Sequence, residues 1–139
     1  MTNSMNIDRG WGLTILRIVV GIVSLMHGGQ KLFVHGLKGV TGGFTKMGIP
    51  LPGISAVVVT FVELLGGLAL ILGLFTAIAA VLLAIDMLVA ILKVHAPHGF
   101  FLQANGFEYA LTLFAASVAI ALAGPGHAAL ERAKGARRR

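Results

Sequence analysis

Apolar positions run through this chain in blocks too long for a soluble fold. Residues 12–34 are apolar, broken by Arg17, His27, Gln30 and Lys31. Residues 35–53 switch to six glycines and two prolines, with Lys38 and Lys46 and with Phe44, Met47 and Ile49 interspersed. From Ile54 to Leu92 only Glu63 and Asp86 carry charge. As one helix that stretch would be about 58 Å long, roughly twice the hydrocarbon thickness of a bilayer, so it must fold back. Gly73 is the best hinge, ending one helix, with Thr76 placed to cap the next. Residues 93–106 form a second connection with Lys93, His95, His98, Phe100 and Phe101, and a last apolar run over 107–123 opens with Glu108 and closes at Gly124-Pro125-Gly126. The pattern predicts an all-α fold, an integral membrane four-helix bundle with spans at about 12–34, 54–73, 76–94 and 107–123. Residues 35–53 are expected as a Gly/Pro-rich interfacial or re-entrant loop between the first two spans.

Two small-residue stripes, Gly66/Ala69/Gly73 and Ala77/Ala80/Ala84, are expected to bring spans two and three into close contact, because small side chains let helix backbones approach in lipid. The apolar start from Leu13 to Met26 resembles a signal peptide but lacks a small-residue cleavage site, so it reads as a retained first span.

Composition sharpens this picture. Hydrophobic residues make up 57% of the 139 positions and charged residues 12%, with a mean hydropathy of +0.92, which places the chain in a bilayer. Cysteine is absent, excluding thiolate nucleophiles, disulfide exchange and iron–sulfur ligation. Of the eleven Lys and Arg residues behind the formal charge of +6, five fall within residues 132–139. Without a folded basic face this tail argues against nucleic-acid binding and for contact with an anionic leaflet. Four spans put the 1–11 and 127–139 segments on one side, and their basic residues predict that both are cytoplasmic.

The polar residues within the spans carry the candidate chemistry. His27, Gln30 and Lys31 stand at i, i+3 and i+4 and share one helical arc. Arg17, Ser24 and Lys31 recur every seven residues and form a stripe beside them. Three bases (Arg17, Lys31, Lys93) and three acids (Glu63, Asp86, Glu108) balance. Unpaired at mid-bilayer, each would cost about 2.5–3.5 kcal/mol, so pairing, snorkelling or protonation must relieve most of it. Depth suggests a structural ion pair of Arg17 with Asp86, and Lys31 with Glu63 or Glu108. His27, Lys31, Glu63 and Glu108 are the candidate catalytic set, and His27, Gln30, Lys31 and His95 the candidate cofactor-binding set. His35 and His127 are expected to be ordinary surface residues. His95-x-x-His98 beside Pro97 gives no enforced metal or haem geometry, so no metal site is assigned and haem is disfavoured.

The ordered pieces HGGQKLF, GGFTKMGIPLP, VELLGGLALILGL, KVHAPHGFF, NGFEYALTL and GPG resemble the DoxX family of small four-span bacterial membrane proteins. The match runs from about Leu16 to Gly126 and includes Arg17, His27, Gly28, Lys31, Gly48, Pro50, Glu63, Gly66, Gly67, His95, Gly106, Glu108 and Gly124. The resemblance implies a bacterial inner-membrane component of an oxidoreductase system, quinone-linked, without the soluble domain that a self-sufficient thiosulfate oxidoreductase would need. On that reading His27 and Lys31 hydrogen-bond a quinone carbonyl, while Glu63 and Glu108 move protons. Two other readings stand beside it. One is a non-catalytic membrane scaffold that recruits soluble redox or detoxifying enzymes through its loops or tail. The other is a small proton-coupled carrier, which with four spans would need to form a homo-oligomer.

Overall fold

The computed structural model describes residues 2–136, with side chains for 9–135; Arg137, Arg138 and Arg139 of the basic tail lie outside the described residues. Helix α1 (Thr2–Gly29) continues through a π-helical segment (Gln30–His35) and then breaks at Gly36, whose φ of +70° redirects the chain. Helix α2 (Gly36–Lys46) follows. The long spans are α3 (Pro52–Leu72), α4 (Thr76–Ala90, extended by a π-helical segment, Ile91–His95) and the shorter α5 (Glu108–Ala123); a short α6 (Leu130–Ala136) ends the described chain. By length and composition three of the helical stretches can cross a membrane, and α5 is a shorter apolar helix beside them. The protein is an all-α helical membrane bundle.

Its core is small. Val20, Leu70, Ala79, Ala80, Leu83 and Ile120 form the buried cluster, while Ile15, Ile22, Leu65, Ile78 and Leu122 point outward. Lipid, in place of a larger protein interior, covers that outer surface.

The segment expected as a loop is largely helical. Leu37, Val40, Thr41 and Phe44 fall at i, i+3, i+4 and i+7, and this stripe is the inward-facing side of α2, with Val40 buried. Glycine content argued against a helix, but the apolar stripe docks on α3, and tertiary packing overrides weak propensity. Thr41 and Thr45 donate their hydroxyls back to the Leu37 and Thr41 carbonyls, at 2.7 and 2.8 Å. Leu51 in the left-handed region and Pro52 at the first helical position start α3.

Gly73 ends α3 as the sequence indicates, with φ +70° and paired bonds from Gly73 N–H to Leu70 O and from Leu74 N–H to Ala69 O. Thr76 does not cap α4: its hydroxyl is buried without a partner among the described residues, and Phe75 occupies the capping position in a left-handed conformation.

The tightest helix contact is not in the α3–α4 hairpin. A Cβ on Gly66 would meet Leu83 side-chain atoms no nearer than 3.4 Å. By contrast, a Cβ on Gly21 would lie 2.8 Å from Gly67 O, one on Gly67 2.5 Å from Leu25 N, and one on Gly28 2.6 Å from Leu64 N. Helices α1 and α3 therefore touch backbone to backbone along a Gly21/Gly28/Gly67 seam, which fixes their relative depth.

Candidate functional site

The seam sets which polar groups meet. At the end that carries the loops, Lys31 Nζ lies 2.7 Å from Glu63 Oε2, the one salt bridge among the described residues. The Glu63 side chain is only 6% exposed. Lys31 sits on the π-helical turn after α1, a wider turn of the kind often found at functional sites.

Asp86 belongs to this cluster and not to Arg17. Glu63 lies ten residues before the Gly73 hinge and Asp86 ten residues into α4, so the hairpin brings them to one depth, about 15 Å from the turn. The Asp86 carboxyl faces Glu63 and feels the charges of both Glu63 and Lys31. Its Oδ2 is buried without a donor from the described residues.

Arg17 is fully buried at the opposite end. Its guanidinium donates to Pro125 O (2.8 Å), Ile71 O (3.0 Å), Leu70 O and Ala128 O. Leu70 and Ile71 lie in the last turn of α3, where carbonyls lack the usual i+4 donors and carry the negative end of the helix dipole, and Leu70 O also accepts from Gly73 N–H. Arg17 thus closes α3 and ties it to the segment after α5. The expected Arg17–Asp86 pair does not form because the α1–α3 register set by the glycine seam puts Arg17 level with the end of α3, ten residues of helix away from Asp86. Thr14 completes this end: it accepts from His127 N–H at 2.9 Å, and the His127 ring meets Trp11 edge to face at 5.8 Å. His127 is exposed, as the sequence led one to expect, and its ring packs on Trp11 at this end of the bundle.

A cavity of about 160 Å³ lies beside the Lys31–Glu63 pair. His27, Lys31, Glu63 and His95 line it, together with Ser24 and Tyr109. His95 donates from Nδ1 to Asn105 O at 2.8 Å, which in the neutral ring leaves Nε2 as an acceptor. That bond holds the 99–107 loop, whose Leu102 and Gly106 form part of the cavity wall. The loop closes on itself through Phe107 N–H to Gly99 O and Glu108 N–H to Phe100 O, both 2.9 Å.

Two expected residues stand elsewhere. Glu108 is not in the cavity wall; its Oε1 accepts from Leu102 N–H at 2.9 Å and braces the loop. Gln30 faces a neighbouring open groove of about 610 Å³, lined by Leu25, Met26, Phe33 and Leu64, with His27 common to both spaces. Sequence reasoning missed Tyr109 and the placement of Asp86. Equal counting from the Gly73 hinge would have found Asp86, whereas nothing in the sequence marks Tyr109. Among the described residues no group of three His, Asp or Glu side chains converges to hold a metal.

A buried acid–base cluster beside a small cavity, inside a bundle of membrane helices, defines a membrane protein with an intramembrane polar site. The chain belongs to the DoxX family: the DoxX family model matches residues 12–96. It is 35% identical over 120 residues to a Bacillus subtilis protein named "Putative oxidoreductase CatD", covering 86% of this chain and 84% of that one. A Haemophilus influenzae protein of unspecified function is 36% identical over 132 residues, 93% of this chain and 95% of its own. A Mycobacterium tuberculosis protein, named as an uncharacterized membrane protein, is 34% identical over 128 residues, 84% of this chain and 77% of its own. No solved structure matches the chain.

Proposed function

We propose that this protein is the membrane component of an oxidoreductase system and that its cavity takes the head ring of a quinone-type carrier drawn from the bilayer. The observation that carries the reading is the position of His27, which lines both the polar cavity and the apolar groove. A head ring in the first and an isoprenoid tail in the second would meet at that residue. The volume suits one six-membered ring, since a cavity of roughly 150 Å³ accommodates benzene.

His27 and Lys31 are the donors for a ring carbonyl, and Ser24 and Tyr109 offer hydroxyls on the same walls. Glu63 holds Lys31 in place and, with Asp86, offers two carboxyls against one ammonium. One proton held between those carboxyls supplies the donor that Asp86 Oδ2 lacks and gives the cluster a proton to exchange with the cavity. When bound, a quinone supplies the reversible electron and proton carrier chemistry. Electrons reach it from a separate redox partner, and the name of the Bacillus subtilis relative supports the oxidoreductase assignment. In this reading the protein sits in a bacterial inner membrane with both termini cytoplasmic, placing the cavity in the outer half of the bilayer.

The test is purification in mild detergent, with absorbance and mass spectrometry of the extracted lipid, beside His27→Ala and Lys31→Met. A quinone that accompanies the wild type and is lost from both variants supports the assignment. Equal, bulk-level quinone in all three samples overturns it.

A further inference from the structure

A second concavity lies at the other end of the bundle, between the last turn of α3 and the C-terminal segment. It measures about 750 Å³; Ile71, Leu72 and Leu130 give it apolar walls, and Arg132 and Ala133 line it as well. Leu72 and Leu130 are each almost half exposed. No step of the proposed redox function uses it.

Position and charge define what fits. Helix α3 has 21 residues and is about 31 Å long, close to the roughly 30 Å of bilayer hydrocarbon, so its last turn falls at the hydrocarbon boundary and α6 at headgroup level. Residues 126–139 carry five Lys and Arg against one Glu. Arg132 Nη1 donates to Gly126 O at 2.9 Å, which orients the guanidinium and leaves its remaining N–H groups for a phosphate. The segment itself is fixed: Glu131 N–H donates to Gly73 O at 3.0 Å, and Ala128 O accepts from Arg17. The groove is thus a held shape, apolar on the bilayer side and cationic on the water side.

We propose that this groove seats an anionic phospholipid, with the upper acyl chain against Ile71, Leu72 and Leu130 and the phosphate on Arg132. A lipid satisfies both walls at once, where a free phosphate would leave the apolar wall uncovered. Such a lipid would press the C-terminal segment onto the α3–α4 turn.

The experiment uses the full chain in nanodiscs of phosphatidylcholine with or without phosphatidylglycerol, followed by native mass spectrometry. The wild type is expected to keep one phosphatidylglycerol under activation that strips phosphatidylcholine. Arg132→Gln should weaken that retention by more than about tenfold, beyond the roughly fivefold that one surface charge accounts for. Ala133→Trp, which fills the groove and leaves every charge in place, should abolish it, with circular dichroism melting showing both variants folded. Retention unchanged in Ala133→Trp but lost on deleting residues 137–139 would overturn the groove in favour of diffuse attraction by the tail. Absence of any preference for phosphatidylglycerol in the wild type would overturn it outright.

Discussion

Lys31 and Glu63 meet at 2.7 Å although 32 residues separate them, and the contact ties the π-helical turn after α1 to the middle of α3. Glu63 has little access to solvent, so removing its partner leaves a buried carboxylate. Lys31→Met is expected to cost about 3–5 kcal/mol, read as a lowered melting temperature in detergent. The double variant Lys31→Met/Glu63→Leu should recover most of that loss. Equal destabilisation in the single and double variants would mean the pair contributes by packing alone.

Arg17 distributes one guanidinium over four carbonyls, two of them at the end of α3 and two in the segment after α5. Lysine carries its three donors on one nitrogen and has no planar fork to span acceptors on two sides. Arg17→Lys should therefore leave at least one buried carbonyl unpaired, at about 1–3 kcal/mol, and free residues 124–136 to exchange amide hydrogens faster. Unaltered exchange in that segment would contradict the role assigned to Arg17.

The glycine seam predicts an asymmetry between neighbours. Gly67→Ala forces a methyl into the backbone of α1 and is expected to destabilise by about 1–3 kcal/mol or to shift the α1–α3 register. Gly66→Ala, one position away, would make only ordinary van der Waals contact with the Leu83 side chain and should be tolerated. Thermal unfolding of the two variants side by side decides the point.

Glu108 and His27 should separate by phenotype. Glu108→Gln keeps an oxygen acceptor for Leu102 N–H, so the 99–107 loop and any ligand binding should persist, while Glu108→Ala should loosen the loop and raise its hydrogen exchange. His27→Ala makes the opposite pattern: no described hydrogen bond is lost, the fold stays, and ligand retention falls. A Glu108→Gln variant that loses ligand with an ordered loop would return Glu108 to a direct role.

Asp86→Asn places an amide donor against Glu63 and should leave the melting temperature nearly unchanged, whereas Asp86→Leu removes the partner. If the carboxyl pair shares a proton, the infrared carboxylic-acid C=O band of the wild type should vanish in Asp86→Asn. A band of equal intensity in the variant would place that proton elsewhere.

Much of this was written in the order of residues. Block lengths and charge spacing along the chain specified the membrane bundle, the Gly73 turn and the inward stripe of Arg17, Ser24 and Lys31, because helical periodicity and bilayer thickness act on local sequence alone. The polar partners were a different matter. Which charges meet depends on how far one helix slides along another, and a shift of one turn is about 5.4 Å, enough to exchange partners. Tertiary structure set that register through the Gly21/Gly28/Gly67 contact and the α3–α4 hairpin, sending Arg17 to the end of α3 and Asp86 to Glu63. It also made a helix of glycine-rich residues 36–46, whose apolar stripe is stabilised only once α3 is there to receive it.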